Sequence, residues 1–99
     1  KAKEAEKNAE YYQWEFYGLA LDKALAWSLT KPSSASKGAA QAYIEAMPMA
    51  EDEGGMMYNS PARGRAVQIL YILSNLQGWR GVEAREAKVI LKKQYEQDK

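Results

Sequence analysis

The sequence predicts an all-α domain, a small bundle of about four helices led by a long N-terminal one. Three observations carry this. Apolar residues recur at helical spacing, as in Ala40, Tyr43, Ile44 and Met47 at i, i+3, i+4 and i+7. Pro32, Pro48 and Pro61 and most of the glycines fall between such segments and punctuate them. Dense aliphatic and β-branched stretches are confined to 67–73 and 89–91, and both keep helical periodicity. Helices are expected at about 2–29, 37–47, 61–77 and 82–95. At 99 residues the chain has room for a single domain, 1–99, which buries roughly 60–65% of its unfolded surface.

The first helix opens on KAKEAEKNAE, a solvated start over 1–10 in which Lys3–Glu6 and Lys7–Glu10 meet at i, i+3. Nothing breaks it before Pro32, which pushes Lys31 out of the helical region. Some 28 residues at 1.5 Å each give ~42 Å. Placed at 100° intervals, its apolar residues form two stripes, Tyr11, Trp14, Gly18, Leu21 and Leu25 on one side and Tyr12, Phe16, Leu19 and Trp27 opposite. A helix that is apolar on two sides is central in its fold or shared with another chain. Tyr12, Phe16, Leu19 and Trp27 are therefore the expected self-association surface of a homo-oligomer.

After a loop at 32–36, Ser34 or Ser36 caps the second helix. Pro48 is expected to end it, and 48–60, with Glu51, Asp52, Glu53, Gly54, Gly55 and the run Met56, Met57, Tyr58, reads as an irregular acidic loop. Ser60–Pro61 is an N-cap followed by a first helical residue. In the third helix Ala62, Ala66, Ile69, Leu73 and Leu76 form the core stripe, and Val67 and Tyr71 make the outer face more apolar than solvent alone explains. The corner GWRG, 78–81, either presents Trp79 and Arg80, two residue types enriched at binding hot spots, or folds Trp79 back over the core as a lid with Arg80 solvated. Val67, Tyr71, Trp79 and Arg80 are thus the expected contacts to a protein partner. In the fourth helix Ala84, Ala87, Leu91 and Tyr95 face inward, while Arg85, Lys88 and Lys92 share an outer edge.

The chain contains neither cysteine nor histidine. Disulfides, the usual zinc ligand sets, thiol nucleophiles and imidazole acid–base chemistry are excluded with them. Glu51, Asp52 and Glu53 lack the alternating spacing of a calcium loop, so no metal site is expected. Glu15 and Asp22 lie two turns apart with no sign of a pocket. The expectation is a protein that is not an enzyme, uses no cofactor and acts by binding another macromolecule. No window holds the roughly 20 apolar residues that a membrane span needs, and a cysteine-free chain suits a reducing or an oxidising compartment alike, so the cytoplasm is the default location by base rate alone.

Charge supplies the alternative reading. The net charge is +1, but 61–99 holds eight bases against four acids. The third and fourth helices with the glycine corner between them have the size of a helix-turn-helix. Arg63, Arg65, Arg80, Arg85, Lys88 and Lys92 would then meet phosphates, although the fourth helix has no early Asn or Gln to read adenine.

Overall fold

The computed structural model describes the backbone from Gln13 to Lys99 and the side chains from Tyr17 onward. Regular structure among the described residues is entirely helical: α1 (Gln13–Ser28), α2 (Ala35–Glu45), α3 (Met47–Tyr58), α4 (Pro61–Ser74) and α5 (Val82–Asp98). The all-α class agrees with the sequence, but the described residues form five helices rather than about four. The solvated start over 1–10 and the extension of the first helix back to residue 2 lie outside the described residues.

Local chemistry sets the helix starts. The Ser34 hydroxyl accepts from the Lys37 N–H at 3.2 Å, and the Ser60 hydroxyl accepts from the Arg63 N–H at the same distance. Each satisfies one of the four donors that a helix N-terminus leaves without a partner. Lys37 does more than occupy the first turn of α2. Its ammonium donates to the carbonyls of Thr30 and Pro32 and lies 5.5 Å from the centre of the Trp27 ring, closing the loop between α1 and α2.

The segment 48–60, expected to be an irregular loop, is mostly helix α3. Pro48 stands at its N-terminal end, where a missing N–H costs nothing. Asn59 ends the helix in the left-handed conformation at φ 53°, and the Ser60 N–H returns to the Gly54 carbonyl at 3.1 Å. Two residues thus turn α3 into α4.

Four helices close a ring. α1 packs on α2 and α5, while α4 packs on α2 and α5. The ring encloses Ala24, Ala40, Ile69, Ile72, Leu76 and Leu91. α3 lies outside it, applied almost wholly to α4. The Cα atoms span 40 × 37 × 16 Å. A depth of two helices is about 13–15 Å, from an interaxial distance of ~8–10 Å and a Cα radius of ~2.3 Å on either side. The molecule is a slab, and every helix has a solvent face.

The predicted core stripes of the later helices agree with the packing: Ala40, Ile44, Met47, Ala66, Ile69, Leu76, Ala84, Ala87 and Leu91 are buried. α1 differs. Its buried line is Tyr17, Ala20, Ala24 and Ser28, which runs between the two expected stripes, with Leu21 and Leu25 half-buried on one shoulder and Trp27 on the other. The described part of the helix therefore has one broad face, with alanines at its centre so that α2 and α5 approach closely. Leu19 points away and is exposed.

The α3–α4 contact is closer still. A Cβ on Gly64 would stand 2.1 Å from the Ala50 carbonyl oxygen and 2.8 Å from the Gly54 Cα, and a Cβ on Gly54 would stand 2.6 Å from the Gly64 Cα. Backbone meets backbone there, and only glycine fits at both positions.

Candidate interaction surface and a buried ion cluster

Beside the glycine contact, Arg65 enters the interior. Its Nε and Nη2 donate to the two carboxylate oxygens of Asp98 at 2.5 and 2.9 Å, and its Nη1 donates to Glu51 at 3.2 Å. Gln94 Nε2 donates to Asp98 at 3.0 Å. Glu51 comes from α3, Arg65 from α4, Gln94 and Asp98 from α5, so one guanidinium joins three helices. Arg65, Gln94 and Asp98 are all buried. The bidentate hydrogen bond to Asp98 is the main cause of an Arg65 pKa raised beyond its ordinary value, with burial opposing it.

Tyr17 of α1 stands close enough to feel the same charges. Burial, chiefly, pushes its phenol above the ordinary tyrosine range; Arg65 pulls the other way, while Glu51 and Asp98 add to the rise. An ion pair removed from water is weak as a source of stability, and what the cluster provides is one point at which α3, α4 and α5 are joined through side chains. Among the described residues the buried Gln94 Oε1 has no hydrogen-bond partner.

Arg65 was among the bases expected to contact phosphates; this is corrected, because the side chain is buried and committed to Asp98 and Glu51. Lys88 donates to the Trp79 carbonyl at 2.7 Å. Arg63, Arg80, Arg85 and Lys92 are exposed, Arg63 lying 5.4 Å from the Tyr58 ring centre. The segment between α4 and α5 runs from 75 to 81 and plugs Leu76 and Trp79 into the core, unlike the three- or four-residue turn of a helix-turn-helix.

Trp79 was also expected at the partner surface, and this too is corrected. Its ring is 8% exposed and stacks on Trp27 with centroids 6.0 Å apart and planes at 22°. Trp27, expected to serve self-association, is thereby held between Trp79 and Lys37 of its own chain. Of the other self-association residues, Leu19 is exposed. Tyr12 and the Phe16 side chain lie outside the described residues.

The remaining expected contacts, Val67 and Tyr71, are 40% and 49% exposed and one turn apart on the outer face of α4, with Leu70, 46% exposed, beside them. The Tyr71 ring stacks on Tyr43 of α2 at 5.2 Å between centroids. Gln68, on the same helix, donates its amide to the Tyr43 carbonyl at 2.8 Å. Past Tyr43 the surface dips into a shallow groove of about 270 Å3, lined by Ala42, Tyr43, Ala46, Met49, Ala50, Glu53 and Gln68. An apolar strip thus crosses three helices, from Leu70 and Tyr71 over Tyr43 to Met49. Sequence reasoning placed its α4 end and missed the rest, since Met49 was assigned to a loop and Tyr43 to the core.

No group of three or more carboxylates among the described residues could hold a metal ion, and no helix among them is long and apolar enough to cross a membrane. No protein-family model, curated protein or solved structure matches the chain.

Proposed function

We propose that this chain is a non-catalytic interaction module that binds a protein partner through the strip built on α4 and self-associates through its first helix. The observation behind the partner surface is the half-exposed trio Val67, Leu70 and Tyr71, continuous through the Tyr43–Tyr71 stack with the groove beyond. A monomer has no internal reason to hold two stacked tyrosines and two neighbouring aliphatic side chains at its surface, whereas an aromatic anchor among apolar neighbours is the usual centre of a protein contact. For self-association the support is narrower: Leu19 is 51% exposed on the side of α1 away from the ring.

Two measurements test the reading. Sedimentation at micromolar concentration should give a dimer for the native sequence and a monomer for Leu19→Glu; a native monomer removes self-association. A partner captured from the source cell should be retained by the native chain and lost with Tyr71→Glu. Retention by both removes the α4 strip as the contact surface.

A further inference from the structure

The groove itself carries information about what lies in it. We propose that the groove between α2 and α3 takes the apolar face of a basic amphipathic helix; this rests on the interaction-module reading and specifies its partner. Three features argue for that chemistry. The groove is open and its volume, about 270 Å3, falls below the roughly 300–1,000 Å3 of small-molecule sites, so it suits side chains offered from outside. Ala42, Ala46 and Ala50 keep its floor low between Tyr43 and Met49, which is the form that accepts the i, i+3, i+4 and i+7 residues of a docked helix.

The third feature is charge. From 38 to 62 the chain has no lysine or arginine and four acids, Glu45, Glu51, Asp52 and Glu53. Glu51 is occupied by Arg65. Glu45, Asp52 and Glu53 are exposed and enter no ion pair among the described residues, and Glu53 lines the groove. An apolar floor whose one charged lining residue is Glu53 selects a helix that is apolar on one side and basic on its flanks, and repels an acidic one.

The test is fluorescence anisotropy on the full chain with two labelled model peptides of helical periodicity, one of leucine and lysine and one of leucine and glutamate. The leucine–lysine peptide should bind and the leucine–glutamate peptide should not. Ala42→Trp, at an exposed position, should fill the groove and weaken binding by about tenfold or more, the loss expected from blocking a central contact. Glu53→Gln should weaken it a few-fold and flatten its salt dependence. Equal binding of both peptides would overturn the basic chemistry while leaving the groove as a contact site. Binding of the leucine–lysine peptide unaffected by Ala42→Trp would overturn the groove. Failure of both peptides to bind would overturn the proposed partner, leaving the interaction module to the Tyr71→Glu and Leu19→Glu measurements. A change in the sedimentation of the chain alone on Ala42→Trp would assign the groove to a second copy and overturn the proposal.

Discussion

The same substitution, glycine to alanine inside a helix, should have opposite signs at two places in this molecule. On a free helix it stabilises by ~1 kcal/mol, because alanine is the better helix former and the unfolded chain loses freedom. At Gly38 of α2 nothing lies within 4 Å of the added Cβ, and that gain should appear in full. At Gly64 the Cβ would lie 2.1 Å from the Ala50 carbonyl oxygen, where ordinary contact begins at 3.4 Å. The opposing atoms are backbone, so no rotamer change relieves the clash. α3 must retreat by about an ångström, loosening Met47, Ala50 and Gly54, which are its buried residues. Overpacking of this kind costs typically 1–3 kcal/mol and occasionally more, so after the propensity gain a net loss of about 2 kcal/mol is expected for Gly64→Ala. For a domain of this size that is a fall in Tm of roughly 8–16 °C, against a rise of some 4–8 °C for Gly38→Ala. Urea denaturation monitored by circular dichroism measures both. If Gly64→Ala is as stable as Gly38→Ala, the backbone contact between α3 and α4 is not as described.

Other expectations follow from the same packing. Asp98→Ala removes the main partner of the buried Arg65 and should cost about 3 kcal/mol in urea denaturation, the low end for a broken buried pair, whereas Arg65→Met with Asp98→Leu should recover most of it. Ser60→Ala removes the α4 cap and should cost ~1 kcal/mol by the same measurement. For Tyr17 the folded pKa lies above the unfolded one, so its contribution to stability is complete below the unfolded value of ~10 and is lost as pH rises beyond that. Tyrosinate absorbance during an alkaline titration should show Tyr17 ionising above the ordinary tyrosine range, a component that Tyr17→Phe abolishes.

How much of this was legible in the chain depends on the range of the interaction. Ser34 and Ser60 act on a backbone N–H three residues on, so the Ser60 cap is placed by sequence alone and the other is narrowed to Ser34 or Ser36, while the inward line Ala84, Ala87 and Leu91 is placed outright. α3 was missed because Pro48 and the Gly54–Gly55 pair read locally as breakers. Gly54 is there for a neighbour, and that neighbour, Gly64, is visible only once α4 is laid across it. Arg65 and Asp98 are 33 residues apart and each reads as an exposed polar residue on its own helix. The tyrosines split the same way: periodicity put Tyr71 on an outer face but had no means of bringing Tyr43 beneath it.

The place of Arg65 in the chain also bears on the order of assembly. α3 and α4 are consecutive and joined through Asn59 and Ser60, so their contact closes a very short loop and forms at small entropic cost. The guanidinium that this hairpin carries has its main partner at residue 98, and α1 reaches the ring chiefly through α5. During synthesis a folded hairpin would therefore offer its guanidinium Glu51 but not its main partner, Asp98, until α5 has been made. The domain is built to gain its local half early and to become fully cooperative only when the C-terminal turn of α5 arrives.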